Sequence, residues 1–210
     1  MENRRSSSEM RQNSCFGVRE SKVVLIGDAS VGKTSLLNRF STGSHSQLIS
    51  PTLGAAFTTK MVEVNGESVK LQIWDTSGEE KYRSMAPLYY RSAAVAIVVY
   101  DITSESSFDN LDMWINQLKS HVLQNAMIIV VGNKVDLDDE GLRAVPEEKA
   151  ARFCADKKFE FFEASAVTGL NVDKLFQTVA AFNGTTVKPN QRELVIPNAD
   201  AETQEEKKCC

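Results

Sequence analysis

The chain has 210 residues, 42% of them hydrophobic and 25% charged, which is the make-up of one ordinary soluble domain with tails, long enough for a real core. Its net charge of -4 gives no reason to expect nucleic-acid binding. No apolar run reaches the ~18 residues that a membrane-crossing helix needs.

The first stretch, MENRRSSSEMRQNS, has no apolar core and so does not read as a secretory signal. Glu2 stands where N-myristoylation needs Gly. Residues 1–20 are polar, Ser/Arg-rich and aperiodic, and are expected to form a flexible arm. KVVLIG (22–27) is then expected as a buried strand, followed by a Gly-containing loop and the amphipathic SLLNRF. AAFTTKMVEV and SVKLQIWD flank Asn65-Gly66, a hairpin signal. AVAIVVYD (94–101) and MIIVVGNKVD (127–136) carry two more continuous apolar strands, and FEFFEAS (159–165) a last one. Helical patterns occupy SSFDNLDMWINQLKSHV, PEEKAARFCADKK and NVDKLFQTVAAF. This alternation predicts an α/β fold with a mostly parallel six-stranded sheet, one antiparallel hairpin and helices on both faces. In such sheets ligands sit at the carboxyl ends of the strands. Residues 184–210 read as a tail. Cys15 and Cys154 read as incidental thiols, whereas Cys209 and Cys210 are the last two residues given.

Three motifs fall at those strand ends. GDASVGKTS (27–35) matches G-x-x-x-x-G-K-[ST] between a strand and a helix. Gly27 and Gly32 let the backbone curl, so that N–H groups of Ala29, Ser30, Val31, Gly32, Lys33, Thr34 and Ser35 can face a phosphate chain. Lys33 would reach the β- and γ-phosphates, and Thr34 would offer its hydroxyl to Mg²⁺. The plain alternative is a strand-to-helix turn with no ligand. NKVD (133–136) names the base. Asp136 can accept from the N1–H and 2-amino group of guanine, a donor pair that adenine lacks. Asn133 can bond the base edge and brace the loop, and the Lys134 stem can cover a base face. In DTSG (75–78), Asp75 can hold Mg²⁺ through water, and the Gly78 N–H can meet the γ-phosphate. The alternative there is a polar turn.

Together GDASVGKTS, WDTSGEEKYRSMAPLYYRSA, NKVDL and EASA resemble the Ras-like small GTPases, and within them the Rab family, over about residues 20–183. PTLGAAF and SMAPLYYRSAAVAIVVYDIT are most similar to the early-endosomal Rab subgroup. The resemblance implies a P-loop GTPase domain at 21–183 with the small G-protein fold. This domain would bind GTP and GDP with Mg²⁺ and hydrolyse GTP. It implies that Thr52 binds Mg²⁺ and the γ-phosphate, and that Ser165 and the Ala166 N–H lie near guanine. Catalysis would rest on Lys33, Thr52, Gly78 and the residue at 79. Phe57, Trp74 and Tyr89 would display the nucleotide state to effectors, although core packing is the plain reading of these aromatics. The implied partners are an exchange factor, an activating protein that can supply an Arg and a Gln in trans, a GDP-dissociation inhibitor and effectors. The protein itself would be a monomer. The terminal Cys209-Cys210 resembles the double-geranylgeranyl signal of Rabs. The tail from 184 has four basic residues against five acidic ones, so anchoring would rest on two lipids at the cytoplasmic face of endosomal membranes, cycling with the cytosol.

The chain departs from the family pattern at four positions. Glu79 and Ser77 stand where Gln and Ala are usual, Val167 where Lys is usual, and Pro51 precedes the switch threonine. Two rival readings follow. One is a GTP-holding scaffold in which Glu79 blocks turnover. The other is a P-loop ATPase or kinase, against which Asp136 argues.

Overall fold

The computed structural model describes residues 18–45, 50–79 and 86–183. Expectations for residues 1–17 of the N-terminal arm, the tail with Cys209 and Cys210, and the segments 46–49 and 80–85 concern residues outside this set. Strand β1 (Arg19–Ile26) begins two residues inside the stretch read as the arm. It is followed by α1 (Lys33–Thr42), β2 (Ala55–Val64), β3 (Glu67–Thr76), α2 (Ala86–Tyr90) and β4 (Val95–Asp101). Then come α3 (Glu105–Asp109), α4 (Leu111–Lys119), β5 (Met127–Asn133), α5 (Glu147–Lys157), β6 (Glu160–Ala164) and α6 (Val172–Ala181).

The strands form one six-stranded sheet in the order β2-β3-β1-β4-β5-β6, parallel except for the β2–β3 pair. The hairpin turn sits where Asn-Gly predicts it. Asn65 (φ 52°) and Gly66 (φ 78°) both adopt positive φ, the geometry whose twist matches two right-twisted strands.

Side-chain alternation divides the core into two layers. Val23, Leu25, Ile97, Val99, Ile129 and Val131 face α1 and α6, where Leu36, Phe40, Leu175 and Phe176 pack on them. Their neighbours Val24, Ile26, Ala96, Val98, Tyr100 and Val130 face the other way, onto Leu111, Trp114, Leu118 and Cys154. A strand covered on both faces must be apolar at successive positions, and every residue of β4 is buried. Phe40 and Phe176 stack at 3.9 Å between ring centroids and join α1 to α6.

One expected helix divides. The pattern over 106–122 reads as one continuous helix, but the structure has α3 and then α4, separated at Asn110 (φ -75°, ψ -7°). The Ser104 hydroxyl caps α3 by accepting from the Ser107 N–H. The Asn110 side chain donates to the Asp28 carboxylate at 2.8 Å.

At the far end of the domain, Arg19 holds the last turn of α6. Its guanidinium donates to the Phe182 carbonyl at 2.8 Å and to the Ala180 carbonyl. Arg19→Ala removes a charged donor from carbonyls that the helix cannot satisfy itself. It is expected to lower stability by about 1–2 kcal/mol, allowing for the partial exposure of the site. Urea unfolding at a fixed nucleotide concentration checks this, and an unchanged midpoint contradicts it.

Candidate nucleotide site

The parallel strands end on one edge, and the three motifs meet there. The loop between β1 and α1 is tight enough to require its glycines. A Cβ on Gly27 (φ 138°) would lie 2.1 Å from the Val99 carbonyl oxygen. One on Gly32 (φ 94°) would lie 2.2 Å from the Asn133 amide nitrogen. Gly32 is also the N-cap of α1 and brings no side-chain cap, so the helix N-terminus presents backbone N–H groups to the cleft.

Lys33 is 5% exposed and donates to the carbonyls of Gly27 at 2.8 Å and Asp28 at 2.6 Å. Burial pushes its ammonium down to about 8, against the upward pull of Asp75 and Asp28. A desolvated cation on a wall of backbone N–H groups suits a polyanion. The cleft in front of it, about 290 Å³, is lined by Ala29, Thr34, Thr52, Ser77, Gly78 and Glu79, among others.

Three oxygens converge beside Lys33. One carboxylate oxygen of Asp75, Oδ2, accepts from the Thr34 hydroxyl at 2.6 Å and the Thr52 hydroxyl at 3.3 Å. The two hydroxyls lie 2.9 Å apart. The other oxygen, Oδ1, is buried without a hydrogen-bond partner. Burial raises the Asp75 pKa, while Thr34, Lys33 and Thr52 oppose the shift. An orphaned carboxylate oxygen beside two hydroxyls suits a hard, oxygen-seeking cation such as Mg²⁺. Among the described residues, no group of three or more His, Cys, Asp or Glu side chains offers an alternative metal centre.

DTSG touches the P-loop directly. A Cβ on Gly78 would lie 2.3 Å from the Ala29 nitrogen and from the Asp28 carbonyl carbon. The Ser77 N–H donates to the Gly54 carbonyl at 2.8 Å, tying this turn to the segment after Thr52. The Glu79 N–H donates to the Ser77 hydroxyl at 3.2 Å, a bond that the usual Ala at 77 would not offer.

At the end of β5, Asn133 is 1% exposed and acts as a brace. Its amide donates to the Val31 carbonyl at 2.9 Å and its oxygen accepts from the Ala166 N–H at 3.3 Å. The P-loop and the 165–167 loop are therefore joined through one side chain. Asp136 lies in the single turn Val135–Leu137, and the Ser165 hydroxyl donates to its Oδ1. Lys134 adopts φ 71°, and its ammonium pairs with Asp101 at 2.6 Å.

Phe57 and Trp74 are register partners across β2 and β3, 5.0 Å apart, and Tyr89 stands 5.6 Å from Trp74. Phe57 remains 52% exposed, so this cluster forms a surface and not only a core. Sequence reasoning missed Asp28, whose carboxylate accepts from the Trp114 indole at 2.7 Å and from Asn110. It also missed Asp101 and Arg39. The P-loop pattern leaves position 28 open, and its partners lie 82 and 86 residues away, so no local signal exists.

Residues 22–182 match the Ras family. The chain is similar to the Ras-related protein RABA2a of Arabidopsis thaliana, at 38% identity over 203 residues, 90% of this chain and 93% of the relative. It is similar to the GTP-binding protein ypt3 of Schizosaccharomyces pombe, at 45% identity over 158 residues, 75% of this chain and 73% of the relative. The Ras-related protein YPTC6 of Chlamydomonas reinhardtii is 44% identical over 158 residues, with 75% of this chain and 72% of the relative covered. A family match that runs from β1 through α6, together with these Rab and Ypt relatives, makes the chain a member of the Rab group of Ras-superfamily small GTPases.

Proposed function

We propose that this Rab-type GTPase is a lipid-anchored switch that reads guanine through Asp136 and hydrolyses GTP slowly because of Glu79. The observation that carries the reading is the Asn133 brace. It joins the phosphate-side loop to the base-side loop, with Asp136 held by Ser165 beside it. Asp136 accepts from the guanine N1–H and 2-amino group, and the Lys134 stem covers a base face. Lys33 and the backbone N–H groups of 29–35 hold the phosphates, with Ser165 and Ala166 closing the base end. Thr34, Thr52 and Asp75 would hold Mg²⁺, which would supply positive charge to offset that of the phosphates. The Gly78 N–H and Lys33 stabilise the charge that develops on the transferred phosphoryl group, and Glu79 orients the attacking water.

Thr52 and Gly78 would meet the γ-phosphate, so the segments around them, 50–57 and 76–79, would be held differently with GTP and with GDP. Phe57, Trp74 and Tyr89 lie on or beside these segments, so effectors read the state there. The exchange factor, activating protein and GDP-dissociation inhibitor are those that the family resemblance implies. Excess GTP is expected to displace labelled GDP, while the same concentration of ATP leaves it bound. Equal displacement by ATP contradicts the assignment.

The scaffold reading also keeps one observation on its side, the carboxylate at 79. Single-turnover hydrolysis separates the two readings: no turnover with an activating protein present favours the scaffold.

Endosomal membranes are proposed from the PTLGAAF and SMAPLYYRSAAVAIVVYDIT stretches. Among the described residues no helix is long and apolar enough to cross a membrane. Two geranylgeranyl chains on Cys209 and Cys210 would hold the protein where one chain holds only marginally. Removing both cysteines is expected to shift the protein to the soluble fraction of cells with nucleotide binding intact. A truncated chain that still pellets with membranes contradicts the anchor.

A further inference from the structure

We infer that Arg39 is a positioning residue for guanine recognition, acting through the 165–167 loop; the inference rests on the nucleotide site proposed above. Arg39 lies on α1, the helix that begins at Lys33 on the phosphate side. Its guanidinium bridges to the base side. Nε donates to the Ala166 carbonyl at 2.8 Å, Nη2 donates to the Val167 carbonyl, and Nη1 donates to the Gly43 carbonyl at 2.9 Å. The side-chain stem also lies under the loop, with Cδ 3.7 Å from where a Cβ on Gly169 would sit.

Ala166 is therefore gripped from both sides. Its N–H donates to Asn133, and its carbonyl accepts from Arg39. The residue before it, Ser165, donates its hydroxyl to Asp136. A chain of named contacts thus runs from α1 through Arg39 and the loop backbone to the carboxylate that reads the base. Arg suits this place because its planar fork offers several donors in fixed directions, and its charge strengthens each bond. Val167 makes the loop more dependent on this grip. Without a long stem at 167 to lie on the base, the fit of this loop to guanine depends on where its backbone is held.

The consequence is selective. Asp136 reads both the N1–H and the 2-amino group, and inosine nucleotides lack the 2-amino group. Loosening the loop spoils the aim of Asp136, so it costs GDP more than IDP. A general loss of stability lowers both alike.

The test measures dissociation constants of GDP and IDP for the full chain, Arg39→Ala and Arg39→Lys, with Mg²⁺ present. For Arg39→Ala the GDP-over-IDP preference is expected to shrink on the order of tenfold, the effect of one well-aimed bond. Arg39→Lys keeps the charge and one direction of donation, and is expected to recover part of the preference. It also serves if Arg39→Ala does not fold. Equal losses for GDP and IDP, or an unchanged preference in Arg39→Ala, overturn the role of Arg39; if only Arg39→Lys folds, an unchanged preference there overturns it. A wild-type protein with no preference for GDP over IDP overturns the Asp136 assignment beneath it instead.

Discussion

Asp136→Asn is expected to weaken GDP and GTP binding by about 2–3 kcal/mol, roughly 30- to 150-fold, the scale of a charge-assisted bond pair losing its ionised acceptor. The Ser165 hydroxyl donates to one Asp136 oxygen and holds the side chain in place. An asparagine that keeps its oxygen toward Ser165 turns its NH₂ toward the base, where it meets the guanine 2-amino group donor to donor. Xanthine nucleotides carry an oxygen at that position and accept from the same NH₂. Their binding is expected to improve relative to guanine nucleotides. Displacement of labelled GDP by GTP and by XTP measures both effects. Unchanged GTP affinity removes Asp136 from the base-reading role.

Glu79→Gln is expected to raise single-turnover hydrolysis by about 10²-fold, the usual effect of one donor aimed at developing charge. The backbone of residue 79 is placed by its N–H on the Ser77 hydroxyl, and the residue lines the cleft with Gly78 and Thr52. Both Glu and Gln can accept from an attacking water. Only Gln can also donate toward the γ-phosphate, whereas Glu brings a like charge to it. A carboxylate is the better base, but the transition state of phosphoryl transfer is loose and early proton removal contributes little. Losing the donor therefore outweighs gaining the base. An activating protein that supplies its own Arg and Gln is expected to narrow the gap between the two forms. If the wild type is the faster of the two unaided, Glu79 acts as a base and this ranking is reversed.

Elements whose cause lies in adjacent residues could be read from the sequence. Continuous apolar runs mark β4 and β5 because helices cover both their faces. Asn65-Gly66 marks the hairpin because both residues take positive φ. The glycines at 27 and 32 mark the P-loop because no side chain fits there. Alternation along β3, with Val69, Leu71 and Ile73 buried, leaves Trp74 on the opposite side. That pattern permits the cluster with Phe57 and Tyr89, but the grouping itself came from the family resemblance.

Features caused by distant residues could not be read. The Asn110 side chain, at the break between α3 and α4, bonds Asp28, 82 residues earlier. The Arg39 contacts join residues more than 120 positions apart. The sequence lets the Lys134 stem cover a base face, and nothing nearby shows that Asp101 pairs with its ammonium. From the sequence Asn133 can serve two tasks, the base edge and the brace. In the structure its side chain bonds Val31 and Ala166, which is the brace.

The most direct test of a guanine-nucleotide switch is to release and identify the nucleotide carried by the purified protein, then follow its GTP form through one turnover. A guanine nucleotide near one per chain is expected, with slow conversion of GTP to GDP that an activating protein accelerates. An adenine nucleotide in its place would contradict the account.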